Sequence, residues 1–328
     1  MDKNLKIIYF GSAQFGIPCL EAIHHSRHEL AGVFTQPARP AGRHRSKPHH
    51  TDVDVWCSQN NVSCVEAENI NTQETVQRVA TLGADLLVVI AFGQKVSQEV
   101  VALQKHGAVN VHASLLPKYR GAAPIHWAIM NGETETGVSI ITLADKMDAG
   151  LILAQDKTPI LPNDTVKCVH DKLSALSVPV LMGTIEQIAD GSAVYLEQDP
   201  TQVTKAPKLH KNIGYINWDS PADQIVNQVR ALWPWPAAET VYVCSKTGKN
   251  WRVGIAKASV VDRPRKQGDI TGALDENLHV ICGDGALQIL ELKPSGSRLM
   301  DFESYVNGHQ CSAGDLFLSD EKALDGIL

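Results

Sequence analysis

A chain of 328 residues has room for two domains of ordinary size, each with its own core. Hydrophobic residues at 44% and charged residues at 20% exclude extended disorder, and no apolar run approaches the ~18 residues of a membrane span. The net charge of -6 opposes phosphate overall, so contact with a nucleic acid would depend on a local basic patch.

The first apolar run, Leu5 to Phe10, is too short for a signal peptide and lacks a small-residue cleavage site, so it reads as a strand. A helical pattern follows around Ile17 to His25, then a strand over Glu29 to Thr35. Ala84 to Ala91 is continuously apolar, as expected of a parallel strand covered on both faces. Gly107 to Val111 and Thr136 to Leu143 read as further strands. Strands alternating with helices predict an α/β fold with a doubly wound, mostly parallel sheet, Rossmann-like in layout. Ligands of such sheets sit beyond the carboxyl ends of the strands, which directs attention to the residues after Val111 and after Leu143.

A long helix is expected from Thr165 to about Asp190, capped by Asn163 or Asp164. The polar stretch 191–208 reads as a linker. Beyond it come a helix over Pro221 to Leu232 and five short alternating runs: Thr240–Cys244, Trp251–Val261, Gly268–Leu274, Leu278–Cys282 and Ala286–Leu292. Their spacing predicts a second, smaller β-barrel of OB-like type. The expected division is an α/β domain over 1–190, the linker 191–208, the barrel over 209–310 and a tail over 311–328.

Seven scattered cysteines, with no C-x-x-C pair and an odd total, fit reduced thiols in a cytoplasm better than disulfides. No His, Cys, Asp and Glu set shows metal spacing, so no metal is expected. His24, His25 and His28 read as solvated residues at a helix end. The loop Gly11-Ser12-Ala13-Gln14-Phe15-Gly16 misses the dinucleotide fingerprint: its second glycine is Ala13, and the second strand ends without an acid. A dehydrogenase is therefore rejected.

The most informative segment is Asn110 to Ile125, NVHASLLPKYRGAAPI. Asn110 and His112 alternate along a strand end and face the same way. Asp145 and Asp148 follow the next strand, each in a polar turn before Gly150. An amide, an imidazole and a carboxylate at one sheet edge can stabilise a tetrahedral oxyanion: the first two donate, and the carboxylate orients the ring. The residues alone leave a second reading open, a satisfied polar turn with a structural histidine.

This segment resembles the signature of the folate-dependent formyltransferases, in which Asn-x-His precedes Ser-Leu-Leu-Pro and an Asp comes from the next strand turn. The resemblance implies catalytic roles for Asn110, His112 and Asp148, with Asp148 chosen over Asp145 because it keeps the Asp-x-Gly context. It also implies contacts to 10-formyltetrahydrofolate from Ser114, Leu115, Leu116 and Pro117. It brings Phe92 near the pterin, where the family usually has tyrosine. Further similarities, in Phe34 to Arg43, Ile216 to Trp218, Arg230 to Pro236 and Gly283 to Leu287, extend over roughly residues 5 to 308. They are those of the branch of the family that formylates methionyl initiator tRNA for translation initiation.

That likeness implies charged initiator tRNA as the partner. Arg39, Arg43, Arg45 and Lys47 are its expected contacts, in a stretch from Leu30 to Thr51 that holds no acid. Lys205, Lys208 and Lys211 read equally as an exposed face or as phosphate contacts. Trp233-Pro234-Trp235-Pro236 reads as packing, with a base-stacking platform as the alternative. A cytoplasmic monomer without a membrane partner completes the expectation.

Overall fold

The computed structural model describes residues 4–40 and 48–319. In chain order its first elements are β1 (Lys6–Gly11), α1 (Ile17–His24), β2 (Glu29–Thr35), β3 (Arg39–Pro40), β4 (Pro48–His49), α2 (Asp52–Gln59), β5 (Cys64–Glu66) and α3 (Gln73–Thr81). Then follow β6 (Leu86–Ile90), α4 (Gln98–Ala102), β7 (Ala108–His112), α5 (Pro124–Met130), β8 (Glu135–Thr142), β9 (Ile152–Pro159) and α6 (Val166–Asp190). The remainder holds α7 (Ala222–Leu232), β10 (Ala238–Val243), β11 (Asn250–Val261), β12 (Val280–Ile281), β13 (Ala286–Pro294), β14 (Met300–Asp301), α8 (Phe302–His309) and β15 (Leu316–Leu318).

The first sheet has the order β5-β2-β1-β6-β7-β8-β9. Its first five strands are parallel, and β8 and β9 are antiparallel to their neighbours. Every residue of β6 is buried, as its unbroken Leu-Leu-Val-Val-Ile run requires. On one face Phe10 meets Phe34 and Phe92, with ring centroids 5.0 and 5.2 Å apart. Burying a ring of that size contributes about 2–3 kcal/mol.

The antiparallel pairing corrects one expectation. Thr142, at the end of β8, lies opposite Val109, near the start of β7. The end of β8 is therefore not at the edge where β7 ends, and Asp148 reaches His112 through the connection to β9. Three local readings also change. Thr165 caps α6, its hydroxyl accepting from Cys168 N at 3.4 Å, whereas Asp164 accepts from Leu161 N at 2.8 Å. His28 is buried, not solvated: Nδ1 accepts from Leu5 N, and Nε2 faces Glu186 at 3.2 Å. Gly268–Leu274 is not a strand and makes only isolated bridges, Ala273 to Leu316 and Leu274 to Val280.

The chain divides into two compact units. Glu135–Pro159 and His170–Ala206 join the chain up to Gly121 in one, while Ala122–Thr134, Ile160–Val169 and the chain from Pro207 onward form the other. Sequence order hides this division. Arg230 on α7 donates to the carbonyls of Leu161 and Asp164, which ties that segment to the second unit. The stretch 191–208, expected as a linker, is bonded into the first unit as far as Ala206, with Leu196 paired to Ile152 and Lys205 bridged to Arg120.

The second unit carries the antiparallel sheet β12-β13-β11-β10-β15, with β14 beside β13, around Trp218, Tyr242, Tyr305 and Phe317. The segment set apart as a tail supplies its edge strand β15 and a fully buried Asp315. That carboxylate accepts from Tyr242 Oη at 2.6 Å, Ser245 Oγ at 2.7 Å, and the amides of Ser245 and Ser312, both at 2.8 Å. Burial pushes the carboxyl up, but these donors outweigh it and hold Asp315 below the usual aspartate range.

Candidate active site

β7 ends in Asn110-Val111-His112, and its period of two puts Asn110 and His112 on one side of the sheet. His112 is only 6% exposed, whereas Asn110 is half-buried. Among the described residues nothing hydrogen-bonds the Asn110 side chain, so its amide keeps a free donor and a free acceptor. The imidazole is held on one side: Nε2 lies 3.0 Å from the carbonyl oxygen of Tyr119 and donates to it. Its other nitrogen, Nδ1, stands 3.6 Å from Oδ1 of Asp148. That separation exceeds a hydrogen bond and leaves Nδ1 directed at a place a third atom can share.

Asp148 is fixed from behind. Its Oδ2 accepts from the Gly121 amide at 2.8 Å. Asp148 and Tyr119, the two residues that face the ring nitrogens of His112, both adopt left-handed backbone, with φ of 53° and 62°. Non-glycine residues seldom hold that conformation without support from their surroundings.

The Ser114–Pro117 segment is framed by its neighbours on the sheet. Ser139 Oγ, opposite His112 on β8, donates to Ser114 O at 2.6 Å and accepts from Leu116 N at 3.0 Å. Gln155 on β9 donates to both Ser139 Oγ and Leu116 O. Ser114 is fully buried, with its hydroxyl donating to Lys118 O, and Leu116 packs with Ile141 and Ile152. Half-buried Leu115 and Pro117 offer apolar surface. The side chains of Ser114 and Leu116 are thus committed to the turn itself.

Phe92 departs from its expected role. It is 2% exposed in the core against Phe10, and its carbonyl accepts from Ser12 Oγ and Gln36 Nε2. Its apolar ring is packed in the core, and only its backbone carbonyl takes part in polar contacts. Arg39 lies exposed on β3, and the β3–β4 pair brackets the stretch that holds Arg43, Arg45 and Lys47, which lie outside the described residues. In the Trp233–Pro236 segment Trp233 is half-buried, as packing requires, whereas Trp235 is 54% exposed. Lys205, Lys208 and Lys211 are exposed.

The sequence reading missed Gln198 and Thr204. Gln198 Nε2 donates to the carbonyls of Asp148 and Gly150, and Thr204 Oγ1 accepts from Tyr119 N, each at 2.8 Å. Both sit in a polar stretch without hydrophobic period, so no sequence pattern marks them. His50, Asp54 and Glu66 bring their ligand atoms within 4.8 Å of one another. His50 is exposed and its Nδ1 is already 2.7 Å from Asp54 Oδ2, the geometry of a satisfied surface histidine.

An unpartnered amide, an anchored imidazole and a carboxylate around one point suit acyl transfer to a nucleophile. The chain belongs to the formyl transferase family: the family's sequence profile matches residues 3–185, and that of the formyl transferase C-terminal domain matches residues 208–310. Among curated proteins it is similar to the methionyl-tRNA formyltransferases of Acetivibrio thermocellus, at 37% identity over 95% of this chain and 99% of that one, and of Trichlorobacter lovleyi, at 36% over 96% and 98%. Among solved structures it shares the fold of WlaRD, a sugar 3N-formyl transferase, with TM-score 0.61 at 18% identity over 90% of this chain and 99% of that one. It also shares the fold of HypX from Aquifex aeolicus, solved with tetrahydrofolic acid, with TM-score 0.59 at 17% identity over 92% of this chain and 47% of that one. No helix among the described residues is long and apolar enough to cross a membrane.

Proposed function

We propose that the protein transfers the formyl group of 10-formyltetrahydrofolate to the α-amino group of methionyl initiator tRNA. The observation that carries this reading is the free Asn110 amide beside the His112–Asp148 pair, in a chain similar along nearly its whole length to methionyl-tRNA formyltransferases. Bound folate supplies the formyl carbon; in the net reaction the amine loses one proton and the departing folate nitrogen gains one.

Asn110 donates its amide N–H to the formyl oxygen as negative charge builds there. Because Nε2 of His112 is taken by Tyr119, the donor this ring offers the same oxygen is Nδ1–H. Asp148 faces that nitrogen, counters the positive charge of the doubly protonated ring, and accepts the proton released by the attacking amine. The Ser114–Pro117 turn binds folate through its backbone and through Leu115 and Pro117. Phe92 drops out of that set. Arg39, Arg43, Arg45 and Lys47 contact phosphates at the tRNA acceptor end.

Single-turnover formylation of methionyl-tRNA, an amino-sugar nucleotide and glycinamide ribonucleotide, compared side by side, tests the acceptor. Only methionyl-tRNA is expected to react at an enzymatic rate. Faster transfer to either small acceptor overturns the reading.

A further inference from the structure

The groups behind the catalytic pair form a closed circuit. His112 Nε2 binds the carbonyl of Tyr119, and Asp148 Oδ2 binds the amide of Gly121. Between Tyr119 and Gly121 stands Arg120, whose guanidinium turns back to the other side of Asp148. Its Nε and Nη2 both donate to Gln198 Oε1, at 3.0 and 2.7 Å. With its oxygen so occupied, the Gln198 amide must present its nitrogen the other way. There it donates to Asp148 O and Gly150 O, each at 2.8 Å. Arg120 thus removes the ambiguity in which way a glutamine amide points. The same short segment is tied down by Arg120 N to Thr204 O at 2.9 Å and Ala206 N to Arg120 O at 2.7 Å.

We infer that Gln198 and Arg120 are positioning residues that set the separation of His112 and Asp148. Gln198 straddles Asp148-Ala149-Gly150 from the carbonyl side while Gly121 holds the carboxylate. Asp148 is thereby gripped through both its backbone and its side chain in a left-handed conformation that the chain alone disfavours. Without the grip on the two carbonyls, Asp148 relaxes toward ordinary backbone and its carboxylate swings away from Nδ1. A displacement near 1 Å in a catalytic group costs about a hundredfold in rate. Neither residue touches the reacting atoms.

This inference rests on the proposed role of Asp148, and the test separates the two. Gln198→Glu keeps an acceptor for Arg120 but turns the two carbonyl-facing donors into a repelling oxygen; Gln198→Met removes both contacts at similar volume. In single-turnover formylation of methionyl-tRNA by the full chain, both variants are expected to lose about tenfold to a hundredfold in kcat. KM for either substrate should stay within about twofold. The decisive readout is the same substitution in an Asp148→Asn background. A residue acting through Asp148 adds no further loss there, whereas general weakening of the fold costs the same factor in both backgrounds. Equal losses in the two backgrounds, or parent-like kcat in both Gln198 variants, overturn the positioning role while leaving Asp148 in place. Parent-like turnover in Asp148→Asn alone overturns the role of Asp148, and this inference with it.

Discussion

Asn110→Ala offers the sharpest separation of chemistry from stability. The side chain is half-buried on β7 between two buried valines, and its amide makes no hydrogen bond among the described residues. Deleting the amide therefore breaks no bond of the folded state and leaves no partner unsatisfied. Stability should move by no more than about 0.5 kcal/mol, or about 1–2 °C in Tm for a protein with domains of this size. If the amide donates to the formyl oxygen as charge develops, its loss removes about 3 kcal/mol of transition-state stabilisation. That lowers kcat by about 10²–10³-fold. KM should hardly change, because the uncharged formyl oxygen is a weaker acceptor than the developing oxyanion. Single-turnover transfer from 10-formyltetrahydrofolate to methionyl-tRNA measures the rate, with thermal denaturation and folate binding run on the same preparation. A kcat within fivefold of the parent refutes the donor role. A kcat loss accompanied by a stability loss above about 2 kcal/mol refutes the claim that the amide is structurally idle.

Gly121→Ala strikes the backbone donor to Asp148: φ is 135° and a Cβ there would collide with the Ala206 carbonyl. It should cost about 2 kcal/mol or more of stability together with most of kcat, and parent-like Tm and kcat in one preparation would count against it. Asp315 gives the second unit a defined acid response. Its pKa lies below the usual range when folded, so its stabilisation is fully present above the ordinary aspartate range near about pH 4 and is withdrawn as pH falls through the folded value. Asp315→Asn should lower stability most at neutral pH and approach the parent at acid pH; parallel stability curves from chemical denaturation would exclude that role. Arg43→Ala should lower kcat/KM for methionyl-tRNA and flatten its dependence on salt by a slope of about one unit, with folate binding unchanged. Identical slopes and rates would return that arginine to a solubility role.

Periodicity revealed the elements whose cause is local. Glu29–Thr35 is a strand with the expected bounds, the apolar Ala84–Ala91 run contains the fully buried β6, and the helix of 222–232 follows its amphipathic face. Pairing direction was less legible, because a strand buried along nearly its whole length, such as that of 135–142, carries no clear alternation to tell a parallel from an antiparallel neighbour. The Asn110, His112 and Asp148 constellation came from a resemblance; the structure adds that Nε2 is spent on a backbone carbonyl and that Nδ1 is the nitrogen left to act. Phe92 was legible only in part. A family position marked it for the ligand, yet an apolar ring beside Phe10 gains more from burial. The stretch 191–208 looked like a linker because polar residues that hydrogen-bond backbone have no period at all.

That last point bears on how the site holds its shape. Tyr119 and Asp148 each sit in a left-handed well costing about 1–2 kcal/mol, and they flank the same imidazole. The compensation is local: Thr204 holds the Tyr119 amide, Gly121 the Asp148 carboxylate, and Gln198 the Asp148 carbonyl. Two of those three contacts come from the stretch that sequence composition reads as a linker. Bond energies of about 1 kcal/mol apiece are of the same size as the strain they oppose, so no single contact has a wide margin. Loss of any one should loosen the His112–Asp148 geometry before it unfolds the sheet. On the proposed mechanism, the segment from Leu196 to Ala206 shapes the site together with the motif on β7, through the bonds of Gln198 and Thr204 to the backbone of Asp148 and Tyr119.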